Sequence, residues 1–336
     1  MSTVIVSGAT GFIAQHVIKV LLSKNYQVIG TVRSTSKGDG LLKLYNNPSN
    51  LSYEIVEDVG SEGAFDKVLQ SHPEAKVFLH LASPFHFNAT DIEKELLLPA
   101  INGTKNVLGA IHKYGNGIER VVVTSSYASI ATASREADRN ETITEQSWNE
   151  ITWQGALKDP VQGYRGSKTF AEKAAWDFVK ENPVKFQIAF VNPTFVFGPQ
   201  AHAIEDKKNL NTSSEIINKL LKLTPVSEIP PTKGGWIDVR DVAKAHVAAF
   251  ENEAAENKRL LLNSGRFSSV SLIRLIKKDF PELQLPEIPS DASDGTETLA
   301  KIDDSKTREI LGFKYYTLEE SIKDTVSQIL SAKQDS

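Results

Sequence analysis

Tyr164 and Lys168 stand four residues apart in a stretch with helical periodicity, so a phenol and an ammonium share one helix face. A free tyrosine titrates at about 10, too high for efficient proton exchange at neutral pH. A lysine cation nearby stabilises phenolate and lowers that pKa, which makes Tyr164 a usable general acid. Lys168 could also donate hydrogen bonds to a ribose. A third group comes from Val121 to Tyr127, where Thr124, Ser125 and Ser126 leave the end of a β-branched run. At the C-terminal end of a parallel strand, a serine can hydrogen-bond a carbonyl oxygen and steady a developing alkoxide. Singly these signals are weak, since the Tyr-x-x-x-Lys spacing is common by chance and hydroxyls gather at strand ends as turn formers. Together they constrain one another.

Gly8-Ala9-Thr10-Gly11-Phe12-Ile13-Ala14 follows the short run Thr3 to Ser7 and opens a helical pattern, with Ile13, Val17, Val20 and Leu21 on one face. Gly8 permits a turn that a Cβ would obstruct, and Gly11 lets backbone amides approach a pyrophosphate. A small residue at 14 lets the helix pack closely on the sheet. The spacing predicts dinucleotide binding at a helix N-terminus. The next strand ends in Arg33, with Lys37 one turn on and no acid before Asp39. An acid at that point would hold an adenosine 2′-hydroxyl, whereas two cations suit a 2′-phosphate and select NADP(H).

The elements that must position these residues alternate in type. Strands are predicted at Thr3–Ser7, Tyr26–Val32, Tyr53–Val56, Lys76–Leu81, Arg120–Thr124 and Phe186–Val191, with helices near 37–46, 61–71, 91–113 and 161–181. Pro99 implies a kink or break in the third of these helices. Strands separated by helix-length segments indicate right-handed βαβ units and a parallel sheet covered on both faces. Residues 128–160 read as a long loop with short turns. Beyond Asn192-Pro193 the pattern thins to strands at Trp236–Val239 and Leu260–Asn263 and helices near 213–223, 270–279 and 317–331. Asp241 is expected to cap a further helix through Phe250, and 281–298 to be an exposed loop.

Composition removes other chemistries. The chain has 336 residues, enough for about two domains. Its 38 basic and 42 acidic residues leave a net charge of −4, no electrostatic case for nucleic acid or an anionic membrane. Cysteine is absent, which excludes disulfides, a thiolate nucleophile and sulfur-ligated metals. The seven histidines form no His-Glu-x-x-His helix or tight pair. No apolar run approaches the roughly 18 residues of a membrane helix, and Thr3 to Val6 is too short for a signal-peptide core. A cytoplasmic protein is the expectation.

On these stretches the sequence resembles the extended short-chain dehydrogenase/reductases over essentially its whole length. Carrying the resemblance are Gly8 to Ala14, Thr124-Ser125-Ser126, Tyr164 with Lys168, Asn192-Pro193 with Phe197-Gly198-Pro199, and Ile237 to His246. Within that family it is most similar to the dihydroflavonol-reductase-like branch, and there to the fungal NADPH-dependent methylglyoxal/isovaleraldehyde carbonyl reductases. The resemblance implies an α/β, Rossmann-type doubly wound parallel sheet with a smaller, mostly helical C-terminal substrate domain. Residues 1–193 would bind NADPH/NADP+, with 236–265 returning to that unit. The substrate domain would span 194–336, mainly 194–235 and 266–336.

It also implies roles by position. Ser126 would polarise a carbonyl, Tyr164 would give the proton, and Lys168 would tune Tyr164 and hold the nicotinamide ribose. Gly8, Ala9, Thr10, Gly11, Phe12 and Ile13 would line the pyrophosphate, with Arg33 and Lys37 at the 2′-phosphate. Asp58 and Val59 would meet adenine, and Ala82 and Ser83 the inner ribose. Pro193, Val196 and Ser213 fall where the branch adds cofactor contacts. Phe85, Tyr127, Phe195 and Trp236 are candidates for an apolar substrate pocket, with core packing as the alternative for each. Arg165 departs from the pattern, where something small is expected beside the tyrosine, and Ala14 replaces a third glycine. Asn102 and Asn106 are candidates for a proton-relay anchor. His246 is expected to pack or cap the fold, His80 to be a satisfied core residue, and His86 to edge the pocket.

The reaction implied is carbonyl reduction with small-molecule aldehydes and ketones as substrates, giving alcohols. A nucleotide-sugar epimerase or dehydratase sharing the Tyr/Lys pair is the nearest rival, against which Arg33 speaks. A non-catalytic NADP sensor is the other, against which the intact Ser126, Tyr164 and Lys168 speak. The oligomeric state is left open by the sequence.

Overall fold

Short β-branched runs become the central strands of one sheet because both of its faces are covered, so their middle residues are apolar on either side. In the computed structural model, which describes residues 2–82, 89–204 and 210–332, the strands are β1 Thr3–Ser7, β2 Gln27–Val32, β3 Leu51–Ile55, β4 Ala75–His80, β5 Arg120–Thr124 and β6 Thr142–Thr144. There follow β7 Gln187–Pro193, β8 Phe195–Phe197, β9 Lys233–Asp238, β10 Lys258–Leu262, β11 Gly265–Ser268 and β12 Lys301–Asp303. The helices are α1 Phe12–Ser23, α2 Thr35–Leu44, α3 Asp66–Ser71, α4 Leu98–Tyr114, α5 Ala133–Glu136 and α6 Trp153–Ala156. The rest are α7 Pro160–Glu181, α8 Thr212–Leu221, α9 Val239–Glu251, α10 Ser269–Asp279, α11 Ser305–Leu311 and α12 Leu318–Ser331.

Seven strands make one parallel sheet in the order β10-β7-β5-β4-β1-β2-β3. Alternation along β1 shows why it is doubly wound. Val4 and Val6 enter a core with Val17, Ile18 and Leu21 of α1 and Val242 and Ala245 of α9. Ile5 enters the opposite core with Val107 and Ile111 of α4 and Ala175 of α7. This is the expected Rossmann-like arrangement. A third cluster joins Phe197, Trp236 and Phe267 to α8, α10 and α12, around a small sheet of order β11-β9-β8. Within the stretch 236–265, β10 joins the large sheet beside β7 and α9 packs on α1, while β9 pairs with β8 and β11.

Several local expectations change. Asp241 does not cap α9: Asp238 does, its carboxylate accepting the Arg240 N–H at 2.8 Å. The Asp241 carboxylate instead accepts the Tyr316 N–H at 2.7 Å, tying the helix to the chain before α12. Pro99 makes no mid-helix break. The helical backbone runs on from a π turn at Glu93–Leu97 directly into α4, whose second residue is Pro99, so the irregularity expected at this proline takes the form of that π turn. The loop 128–160 contains α5, β6 and α6, and β6 pairs with β12. These three- and four-residue elements are too short to show a period. β7 runs two residues past the expected end at Val191, to Pro193, which pairs with Leu262.

Candidate active site

Chain order reverses between β1 and β4, which begin the wings β2-β3 and β5-β7-β10. Such a reversal opens a crevice at the C-terminal ends of the strands, where open α/β sheets bind ligands. Gly8 stands there with φ +66°, and a Cβ on it would come 2.9 Å from the Ala82 Cα after β4. Ser7 pins this seam. Its hydroxyl donates to His80 Nδ1 at 2.9 Å and accepts the N–H groups of Leu81 and Ala82, each at 3.0 Å. Burial pushes His80 down to about 3, so its ring is neutral and free to accept.

The turn closes through the Ala9 N–H to Thr31 O at 3.0 Å and the Gly11 N–H to Gly8 O at 2.9 Å. Gly11 then begins α1 with no side-chain cap, so backbone N–H groups of the first turn meet no competing side chain. A turn that excludes a Cβ and an uncapped helix start fit a dinucleotide pyrophosphate. Arg33, just after β2, and Lys37, in the first turn of α2, are both exposed. Asp58 accepts the Gly60 N–H and the Ser61 hydroxyl, both at 2.9 Å. Val59 and Ala82 line a cavity with His80, Thr104, Lys168 and Glu172. Ser83, Phe85 and His86 lie outside the described residues.

Opposite this turn, α7 presents Tyr164 and Lys168. Asp159 caps the helix, accepting the N–H groups of Val161 and Gln162 at 2.9 Å, and Pro160 opens it. Ser126 follows β5 and caps a 3-10 turn, its Oγ accepting the Ala128 N–H at 3.1 Å. The Tyr164 hydroxyl donates to that same Oγ at 3.2 Å. Accepting both bonds leaves the Ser126 proton for an incoming oxygen. Lys168 Nζ lies 6.0 Å from the centre of the Tyr164 ring. The lowering expected from the Lys168 cation is not what the structure displays: burial holds the Tyr164 phenol above its usual range, and it is the Ser126 bond and the Arg165 guanidinium that pull it down. Burial lowers Lys168 to about 8, with Glu172 pulling it up. The arrangement can therefore present a protonated phenol and a serine hydroxyl to one oxygen at neutral pH.

The other sequence candidates scatter. Trp236 is 2% exposed and packs in the third cluster, and Tyr127 is buried with Ile130, Ile143 and Leu261. For these two, core packing is what the structure displays. Phe195 keeps 38% of its surface exposed, stacked on Phe197 and edge-on to Phe267. Val196 lies in β8 and Ser213 in α8, both half-buried. Asn106 donates to the carbonyls of Gly60 and Ser61 at 2.8 and 2.9 Å, which clamps that loop; Asn102 is exposed. His246 bridges Thr124 Oγ1 at 2.7 Å and Val242 O at 2.8 Å, and burial pushes it down to about 4.

The unexpected Arg165 has a structural account: it pairs with Glu136 at 2.7 Å and donates to Ala131 O at 2.9 Å. It thereby ties α7 to the segment after Ser126. Sequence reasoning missed Glu172 and Arg259, a buried ion pair behind the site. The available signal was Glu172 itself, a charge four residues after Lys168 on the buried face of α7. Among the described residues, no group of three or more His, Asp or Glu could hold a metal ion. No helix among them is long and apolar enough to cross a membrane.

Comparison with known proteins gives the family and the fold. Residues 4–263 match the NAD dependent epimerase/dehydratase family. The NADPH-dependent methylglyoxal reductase GRE2 of Saccharomyces cerevisiae is 46% identical over 98% of both chains. The crystal structure of Gre2 from Candida albicans in complex with NADPH superposes with a TM-score of 0.97 at 68% identity, covering 99% of this chain and 100% of that one. The yeast methylglyoxal/isovaleraldehyde reductase Gre2 complexed with NADPH gives a TM-score of 0.94 at 46% identity, over 98% of each chain.

Proposed function

This chain belongs to the NAD dependent epimerase/dehydratase family, and we propose that within it the protein is an NADPH-dependent carbonyl reductase acting on small aldehydes and ketones. The observation that carries this reading is the Tyr164–Ser126 hydroxyl pair at 3.2 Å, with Lys168 on the next turn of the same helix. Full-length similarity to methylglyoxal reductases, two of them with NADPH bound, supports it.

In this reading Gly8 to Ile13 hold the pyrophosphate, and Arg33 and Lys37 grip the 2′-phosphate. Asp58 and Val59 meet the adenine, Ala82 and Ser83 the inner ribose, and Pro193, Val196 and Ser213 add contacts. When bound, NADPH supplies the hydride that the carbonyl carbon receives. Ser126 donates a hydrogen bond to the carbonyl oxygen and keeps it beside Tyr164, which gives that oxygen its proton. A phenol held above its usual pKa by burial is protonated at neutral pH, the form a donor needs. The phenolate left behind is stabilised by the Lys168 ammonium, the Arg165 guanidinium and the Ser126 hydroxyl. Phe195, with its exposed ring, is the aromatic offered to an apolar substrate.

The cofactor unit of this proposal is 1–193 with 236–265, and the substrate unit is mainly 194–235 and 266–336. A cytoplasmic location belongs to the same reading. The test is consumption of NADPH by the purified protein over a panel of aldehydes and ketones that includes methylglyoxal. Turnover on the panel supports the reading; none, from protein that binds NADPH, overturns it.

A further inference from the structure

Glu172 lies one turn beyond Lys168 on α7 and is 2% exposed. A carboxylate so buried needs all its acceptor capacity met, and here it is. Oε1 accepts from Arg259 Nε at 2.5 Å. Oε2 accepts from Ser125 Oγ at 2.5 Å and from Asn192 Nδ2 at 2.8 Å, and Ser129 Oγ lies 2.6 Å away. Ser125 and Ser129 bracket Ser126 in sequence. Ser129 Oγ and Asn192 Nδ2 also reach the Ser126 carbonyl oxygen, at 2.7 and 3.3 Å. One carboxylate thus joins α7, the turn carrying Ser126, the end of β7 and, through Arg259, β10.

We propose that Glu172, paired with Arg259, is a positioning residue for the reaction: it clamps the Ser126 turn against the helix that carries Tyr164 and supports the charge on Lys168. The inference rests on the reading of Ser126, Tyr164 and Lys168 given above. Arg259 is itself fixed, its guanidinium 3.8 Å from the Trp148 ring and donating to the carbonyls of Glu145 and Ser147 at 3.0 and 2.5 Å. A paired, immobile cation keeps the carboxylate in one place. The Ser125 hydroxyl is thereby aimed at Oε2, Ser129 Oγ stands between Oε2 and the Ser126 carbonyl oxygen, and the Ser126 backbone held by both inherits that order.

Among the described residues, few titratable groups are placed against Lys168. Tyr164 and Glu172 come from its own helix and His80 from β4, while α4 presents Ala100, Gly103 and Thr104 across the cavity. His80 is neutral, so Glu172 is the anion opposing the burial of the ammonium. Neutralising it makes Lys168 give up its proton at lower pH. Reduction uses the ammonium and the phenol, so activity is lost as pH rises, and the alkaline limb of kcat/KM moves toward acid.

Glu172→Gln keeps the shape and removes the charge. With folding checked by a cooperative melt, the expected result is a fall in kcat of about tenfold or more. KM for the carbonyl and Kd for NADPH stay within about threefold, and the alkaline limb moves down by about half a pH unit or more. A kcat within twofold of wild type overturns the proposal, and so does a fall in kcat with the limb in place, which marks a merely structural residue. Should Glu172→Gln fail to fold, Ser125→Ala tests the clamp with the ion pair intact. A fall in kcat of about threefold or more at unchanged KM supports it, and an unchanged kcat overturns it. Tyr164→Phe, run in parallel, separates the two levels. Full activity in Tyr164→Phe removes the underlying site reading, whereas an inactive Tyr164→Phe beside a normal Glu172→Gln removes only the present inference.

Discussion

The Tyr164 hydroxyl donates to the Ser126 hydroxyl at 3.2 Å across 38 residues of sequence. Two separate elements are needed to bring them there, the turn after β5 and the first turns of α7. Their meeting defines where a carbonyl oxygen would sit, and it gives Ser126 a measurable role. Ser126→Ala removes one donor to that oxygen while Tyr164 stays in place. Its kcat is expected to fall by about 10²- to 10³-fold with NADPH affinity unchanged, read from steady-state kinetics and a fluorescence titration of the cofactor.

Cofactor choice is expected to reside in Arg33 and Lys37. Both are exposed just past β2, where Ser34 caps α2. Arg33→Ala should raise KM for NADPH by about 10- to 100-fold, the worth of charge-assisted hydrogen bonds to a phosphate. KM for NADH should hardly move, because the 2′-hydroxyl offers Arg33 no charge. Equal losses with both cofactors would place the 2′-phosphate elsewhere.

Gly8 tests the turn itself. Its φ of +66° is unfavourable for an L-residue, and a Cβ would stand 2.9 Å from the Ala82 backbone. Gly8→Ala is expected to destabilise the protein by about 1–2 kcal/mol and to weaken NADPH binding more than carbonyl binding. Thermal melts with and without NADPH measure both effects.

Three buried histidines predict the response to acid. Burial pushes His16 and His246 down to about 4 and His80 to about 3. Between those values and about 6.5, the unfolded chain binds protons that the native protein refuses. More protons on the unfolded state make stability rise with pH, so their contribution is present above about 6.5 and is lost as pH falls toward 4. Urea midpoints measured from pH 7.5 to 5 should therefore fall with acid, and a flat profile would contradict the neutral assignments.

How far the sequence reached follows the length scale of each signal. Tyr164 with Lys168, and Gly8 with Gly11, are local spacings on a helix face or in one turn, and they sit where such spacings require. The five-residue strands β1 and β5 were equally legible because burial on both faces leaves an unbroken apolar run at the centre of each. Glu172 and Arg259 were not, since 87 residues separate them and neither spacing nor period relates one to the other. The same holds for β6 and β12, three residues each, which exist only through their pairing. Asp238 and Asp241 show a finer limit: both suit a helix cap, but α9 begins at Val239, so Asp238 with its extended backbone is the cap and Asp241 falls inside the first turn, its carboxylate on the Tyr316 N–H. Trp236 and Phe195 look alike as pocket candidates in a sequence; their difference in burial is tertiary.

The most direct measurement compares wild type and Tyr164→Phe in two assays on the same preparations, NADPH affinity and NADPH consumption with methylglyoxal. Tyr164 is expected to carry proton transfer and not cofactor binding. The variant should therefore hold NADPH within about threefold of wild type and lose turnover by about 10²-fold or more. Turnover equal to wild type in Tyr164→Phe, with NADPH bound as tightly, would contradict the assignment of the proton donor and with it the proposed mechanism.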